Sequence, residues 1–76
     1  MGAFADLLTE VQPRMRERDS LAFLWRPGHR IEGREWLAYV TDGFATGEPR
    51  DSQSVAYGRT GEEALRNLVA KLKESA

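Results

Sequence analysis

Tyr57-Gly58-Arg59-Thr60-Gly61-Glu62-Glu63-Ala64-Leu65-Arg66-Asn67-Leu68 carries the chain out of an alternating apolar segment and into an amphipathic one. The change of period decides the fold. Before Gly58 the apolar pattern repeats at every second residue, as in a strand; after Thr60 it repeats at helical spacing. Thr60 is an N-cap by type, and Glu63 three positions later completes a capping box. Glu62 and Glu63 place negative charge at the positive end of the helix dipole. The helix they open is predicted to run from Gly61 to about Glu74. Leu65, Leu68, Val69 and Leu72 form its buried stripe, supported by Ala64, and Glu62 and Arg66 are an i,i+4 pair in the favourable order.

Toward the N-terminus, Ser52 to Tyr57 is the third and weakest strand, with Gln53, Val55 and Tyr57 alternating against Ser54 and Ala56. Asp42 to Asp51 is a long loop holding two glycines and Pro49. Glu35 to Thr41 is the second strand, with Trp36, Ala38 and Val40 on one face and Leu37 and Tyr39 on the other. Ser20 to Arg26 is the first, with Leu21, Phe23 and Trp25 opposite Ala22 and Leu24. Pro27-Gly28 is a turn signal, and His29 to Gly33 continues it as a polar hairpin loop. Phe4, Leu7, Leu8, Val11 and Met15 recur at helical spacing, so a first helix starts near Ala3. Pro13 lacks the N–H that would bond to residue 9 and clashes with that carbonyl. The helix either stops near Gln12 or kinks. Because Met15 stays in phase with Val11, we favour a kink, with the helix running on to about Arg18 and Arg14, Arg16 and Arg18 on its wet side.

The order helix, three strands, helix predicts one small α+β domain over residues 1–76. Its economical packing is a two-layer α-β-β-β-α sandwich: a three-stranded antiparallel sheet with both helices on one face. With 76 residues and no cysteine, the chain has a marginal core and neither disulfides nor a thiolate metal site to reinforce it. Hydrophobic residues at 41% and charged residues at 30% fit a folded domain and exclude disorder. The net charge of −1 is not the footprint of a nucleic-acid binder. Nine of the eleven basic residues are Arg, a better fork for carboxylate or phosphate than Lys; GC-rich codon usage explains the same excess. No apolar run, Leu21 to Trp25 included, is long enough to span a membrane. No basic flank followed by an apolar run is visible at the N-terminus, so a cytoplasmic location is expected.

Both faces of the first two strands are apolar, yet two helices cover only one. The open face should carry several of Phe23, Leu24, Trp25, Trp36, Leu37 and Tyr39, and a monomer seldom exposes such a patch without a use. Either the Asp42–Asp51 loop folds over it, or a second copy or a protein partner does. We favour the latter, and a homodimer through the sheet face or an edge strand.

Two family resemblances follow. The α-β-β-β-α order resembles the double-stranded-RNA-binding domain, whose second helix opens with lysines that reach phosphates. Here the matching positions are Thr60, Gly61, Glu62 and Glu63, so acid stands where that family has base. The C-terminal half resembles HicB-like antitoxin domains, whose sequences run from a "Y-V-x-D-x-x-G" segment to "G-x-T-x-E-E-A-x-x-N". The matching residues are Tyr39-Val40-Thr41-Asp42-Gly43 and Gly58-Arg59-Thr60-Gly61-Glu62-Glu63-Ala64-Leu65-Arg66-Asn67. The chain departs from that family in lacking its proline-containing turn, in a longer connecting loop and in a helix before the first strand. The resemblance implies a small protein that neutralises or modulates another protein, without catalysis of its own. Small size and a single domain add an expected origin in a phage or other mobile element.

The side chains offer little chemistry. His29 with Glu32 spells His-x-x-Glu, but in a hairpin loop and with no further histidine or cysteine to complete a zinc site. Ser20, Ser52, Ser54 and Ser75 have only His29 as a histidine base, and none is near it in sequence. Asp42, Glu48 and Asp51 share a loop and read as turn and solubility residues rather than paired catalytic carboxylates. Gly43, Gly47 and Gly58 do not make a phosphate-binding loop. No enzyme, cofactor or metal is expected. The candidate protein-binding residues are Trp25, Trp36, Tyr39 and Phe44, the last either an anchor for a partner pocket or a lid on the sheet. The alternative function is nucleic-acid binding through the basic hairpin residues Arg26, His29, Arg30 and Arg34, where arginine and aromatics could hold phosphates and stack bases.

Overall fold

The computed structural model describes residues 2–42 and 48–74. Helix α1 spans Ala3–Val11, strands β1, β2 and β3 span Ser20–Trp25, Trp36–Thr41 and Val55–Gly58, and helix α2 spans Gly61–Glu74. The strands form an antiparallel sheet in the order β1-β2-β3. Both helices lie on one face of it, where Leu7 and Val11 of α1 and Ala64, Leu65, Leu68, Val69 and Leu72 of α2 share a core with Ala38, Val40 and Ala56. The α+β sandwich read from the sequence is the fold of the chain.

Helix α2 starts as its capping residues dictate. The Thr60 hydroxyl accepts the Glu63 N–H at 3.0 Å. The Glu63 carboxylate reaches back one residue further than a capping box requires, accepting the N–H of Arg59 at 3.1 Å. Glu62 and Arg66 meet at 3.1 Å on the exposed side.

The expected kinked first helix is a correction. α1 ends at Val11, and Gln12–Arg14 tighten into a single 3-10 turn around Pro13. Met15 is already extended (φ −99°, ψ 146°), so no helix runs on to Arg18. Losing the Pro13 N–H starts the departure; a buried ion pair completes it. The Asp19 carboxylate, 2% exposed, pairs with the Arg50 guanidinium, 12% exposed. Asp19 also accepts the Arg16 N–H at 2.8 Å, while Arg50 donates to the Ser54 hydroxyl at 2.9 Å and to the Arg14 carbonyl at 3.4 Å. The segment between α1 and β1 is thereby fastened to the one before β3. β3 itself begins at Val55 rather than Ser52, because Ser54 and Asp51 are spent on a turn: Asp51 Oδ1 accepts the Gln53 N–H at 3.0 Å and the Ser54 hydroxyl at 2.9 Å.

The Pro27-Gly28 signal is a turn in which His29 N–H bonds to the Arg26 carbonyl and Gly28 takes φ 74°, the conformation that favours glycine. Gly58 matters for another reason. A Cβ there would overlap the Ala64 nitrogen and lie 2.8 Å from the Glu63 carbonyl carbon, so α2 rests directly on the β3 backbone.

Candidate functional site

Register and alternation settle which side chains share a face. Leu21, Phe23 and Trp25 stand with Trp36, Ala38, Val40 and Ala56 on the helix side. Ala22, Leu24, Leu37, Tyr39, Val55 and Tyr57 stand on the open side.

At the hairpin end of the helix side, Trp25 and Trp36 face each other across the ladder with ring centroids 6.1 Å apart and planes inclined by 22°. A Cβ on Gly61, the first residue of α2, would lie 3.8 Å from the Trp36 ring and 4.0 Å from Phe23. The helix therefore begins beside Trp36 and Phe23. Trp25 is left 59% exposed despite its stacking partner. Phe4 of α1 approaches Phe23 at 5.8 Å, and Phe4 and Leu8 are both partly exposed. Leu8, Val11, Met15 and Leu21 line a groove of about 300 Å³ between α1 and β1. An aromatic and aliphatic strip thus runs from α1 along β1 to Trp25.

The open face is more polar than its strands suggest. The guanidinium of Arg34 sits 4.6 Å from the centroid of the Tyr57 ring and that of Arg26 at 5.7 Å, both cation–π distances. Arg26 also donates to the Arg34 carbonyl at 2.8 Å. Its Nε, and Oε1 of Glu35, are shut off from solvent with no hydrogen-bond partner among the described residues. Leu24 is the exposed aliphatic residue of this face, whereas Tyr39 is only 8% exposed.

The sequence-derived protein-binding residues are therefore not one cluster. Trp25 and Trp36 are brought together, Tyr39 is on the opposite face and nearly buried, and Phe44 lies outside the described residues. Of the basic set, Arg26 and Arg34 converge on Tyr57. His29 turns its Nδ1 to the Ile31 N–H at 3.2 Å, and Arg30 is exposed. Glu32 pairs with Arg59 at 3.0 Å, which lowers the charge of the hairpin. Among the described residues no group of histidine and carboxylate side chains is arranged to hold a metal, and no helix is long and apolar enough to cross a membrane. Asp51 is committed to its turn and to Arg50, so it does not join Asp42 and Glu48 in a carboxylate site.

Sequence reasoning missed the side chains that occupy the outward carbonyls at one edge of the sheet. Asn67 Nδ2 donates to the Tyr57 carbonyl at 2.7 Å, and Lys71 Nζ donates to the carbonyls of Val55 at 2.8 Å and Ser52 at 3.2 Å. The i,i+4 spacing of Asn67 and Lys71 beside the apolar stripe was the available signal. A scan of protein-family models, a search of curated proteins and a search of solved structures each found no match.

Proposed function

We propose that the chain is a cytoplasmic, non-catalytic protein-binding module of the antitoxin or inhibitor kind, and that it meets its partner with the corner formed by Trp25 and Trp36. The supporting observation is a tryptophan 59% exposed yet held by stacking on a second one. Rigid, exposed tryptophans are the preferred anchors of protein interfaces, because they offer a large contact area and lose little freedom on binding. The HicB-like half of the sequence agrees with this reading, and with it goes an origin in a phage or other mobile element.

The second reading, nucleic-acid binding, is favoured by the two guanidinium groups gathered on Tyr57. Against it stand Glu62 and Glu63 in the first turn of α2, where a phosphate would meet like charge. One set of titrations separates the two. A host protein captured by the wild-type chain should be lost with Trp25→Ala and kept by Arg34→Ala. Duplex RNA or DNA should bind weakly. Tight binding to a duplex that falls steeply with salt and is lost with Arg34→Ala would replace the protein-binding reading.

A further inference from the structure

The two edges of the sheet are not alike. Val40 N–H bonds to the Ser54 carbonyl, which sets the phase of the β2–β3 ladder. In an antiparallel pair the main-chain groups of successive residues point alternately to either side. The carbonyls of Val55 and Tyr57 therefore face away from β2, and these are the groups that Lys71 and Asn67 occupy. The outward carbonyls of the β3 edge are thus taken up by its own helix.

The phase of the β1–β2 ladder follows from the bond between Arg26 N–H and the Glu35 carbonyl. Arg26, Leu24, Ala22 and Ser20 thus turn their main-chain groups toward β2, whereas Leu21, Phe23 and Trp25 turn theirs outward. Among the described residues nothing reaches those outward groups. Nor does β1 carry any of the devices that blunt an edge: Ser20-Leu21-Ala22-Phe23-Leu24-Trp25 has no charge, no proline and no bulge.

We propose that the β1 edge is the docking site for a second copy of this chain, which adds its own β1 antiparallel about a two-fold axis at Phe23 and makes one continuous six-stranded sheet. The strand is complementary to itself in that register. Phe23 faces Phe23 of the copy and Leu21 faces Trp25, so every outward N–H and C=O of the three residues finds a partner. Registers centred on Ala22 or Leu24 leave some of them unmet. An axis normal to the sheet keeps both helical layers on the same side. Phe4 and Leu8, exposed next to β1, then lie beside the seam together with the groove lined by Leu8, Met15 and Leu21. On the open side the exposed Leu24 is set against Ala22 of the copy. Trp25 lies opposite Leu21, away from the axis, so the two Trp25–Trp36 corners flank the seam and the dimer presents two of them. The pairing does not depend on the partner-binding reading.

Amide hydrogen exchange on the wild-type chain across a concentration series tests the register directly, alongside sedimentation velocity. The expected result is a dimer at high concentration in which the amides of Leu21, Phe23 and Trp25 become protected together. The amides of Ala22, Leu24 and Arg26 should be protected at every concentration. In the dimer, the Hα protons of Ala22 and of Leu24 of the copy should also give an intermolecular contact in an isotope-filtered spectrum. Trp25→Pro removes one outward N–H at a position where an edge strand tolerates proline, and should leave a folded monomer; Trp25→Ala keeps that N–H and should keep the dimer. A chain that stays monomeric throughout overturns the proposal. So does a dimer whose Leu21, Phe23 and Trp25 amides exchange as fast at high concentration as at low, since that places the contact on the open sheet face. If Trp25→Pro fails to fold, the exchange pattern of the wild type decides alone.

Discussion

Gly58→Ala is the substitution that tests how α2 meets the sheet. A single methyl group there would overlap the Ala64 nitrogen and lie 2.8 Å from the Glu63 carbonyl carbon and 2.9 Å from the Glu63 Cβ. Non-bonded carbons rest about 3.5–4.0 Å apart. The obstacles are main-chain atoms of the first turn of a helix, so no rotamer change relieves the clash. Either α2 lifts from β3 or β3 bends away from β2. Lifting α2 stretches the bond from Asn67 to the Tyr57 carbonyl and opens the core around Ala64 and Leu65, both fully buried. Overpacking costs about 1–3 kcal/mol where neighbours can shift, and we expect the upper end, about 3 kcal/mol. A core of this size supplies only about 3–5 kcal/mol. With a urea dependence of about 1 kcal/mol per molar for a small domain, the unfolding midpoint should fall by about 3 M. Gly61→Ala is the matched control. Its new Cβ meets only the rings of Trp36 and Phe23 at 3.8–4.0 Å, ordinary contact, and it sits in a helical first turn. That variant should match the wild type or exceed it by up to about 1 kcal/mol. Equal midpoints for Gly58→Ala and the wild type would refute the close approach of α2 to β3.

Thr60→Ala removes the acceptor of the Glu63 N–H and should lower stability by about 0.5–2 kcal/mol in urea titration, with the slope unchanged. Asp19→Ala takes from the largely buried Arg50 guanidinium its closer carboxylate and leaves it only that of Asp51, at 3.6 Å. The expected loss of about 3–5 kcal/mol should abolish a cooperative transition, as read by near-ultraviolet circular dichroism. Glu10 hydrogen-bonds to Lys73 at 2.8 Å, and that bond, with the charge of Lys73, holds its carboxyl below the ordinary carboxylate range. A depressed folded value means that the tie stabilises above that range and is lost as pH falls through it. The difference in thermal midpoint between the wild type and Glu10→Gln should therefore be present at neutral pH and shrink as pH falls below the ordinary carboxylate value and through the lowered folded one.

The parts of the fold legible in the sequence are those fixed by near neighbours along the chain. Thr60, Glu63 and the stripe Leu65, Leu68, Val69 and Leu72 predict α2 because cap and period lie within the helix itself. Alternation predicts β1 and β2 almost to their ends for the same reason. Where the reading failed, the deciding partner was distant. Met15 is in helical phase with Val11, yet it turns extended, and Asp19, which helps hold that path, pairs with Arg50, 31 residues further on. Surplus apolar surface is legible in the alternation of β1 and β2, but its place on the sheet is not. Phe23, Trp25 and Trp36 lie on the helix side, and Trp25 is exposed because α2 begins too late to cover it, not because its face is open. Tyr39 shows the converse, a residue of the open face that is nearly buried.

The open edge and the exposed corner share one cause, the placement of α2. Gly58 lets the helix rest on the main chain of β3, and Asn67 and Lys71 then reach the outward carbonyls of that strand. A helix so committed to β3 cannot also shield β1. The remaining cover must come from α1, which Pro13 and the Asp19–Arg50 pair stop short and turn aside. α1 reaches Phe23 through Phe4 and lines a groove with Leu21, but among the described residues nothing bonds to the outward main-chain groups of β1. Closing the β1 edge within one chain would take a longer first helix or a blunting residue in β1, and the sequence has neither. Main-chain groups left open on an uncharged strand, with apolar side chains beside them, favour association. A mutation that moved α2 from β3 toward β1 would weaken self-pairing and uncover the β3 edge together. The two edges are coupled through one helix, and Asn67→Ala probes that coupling without touching β1.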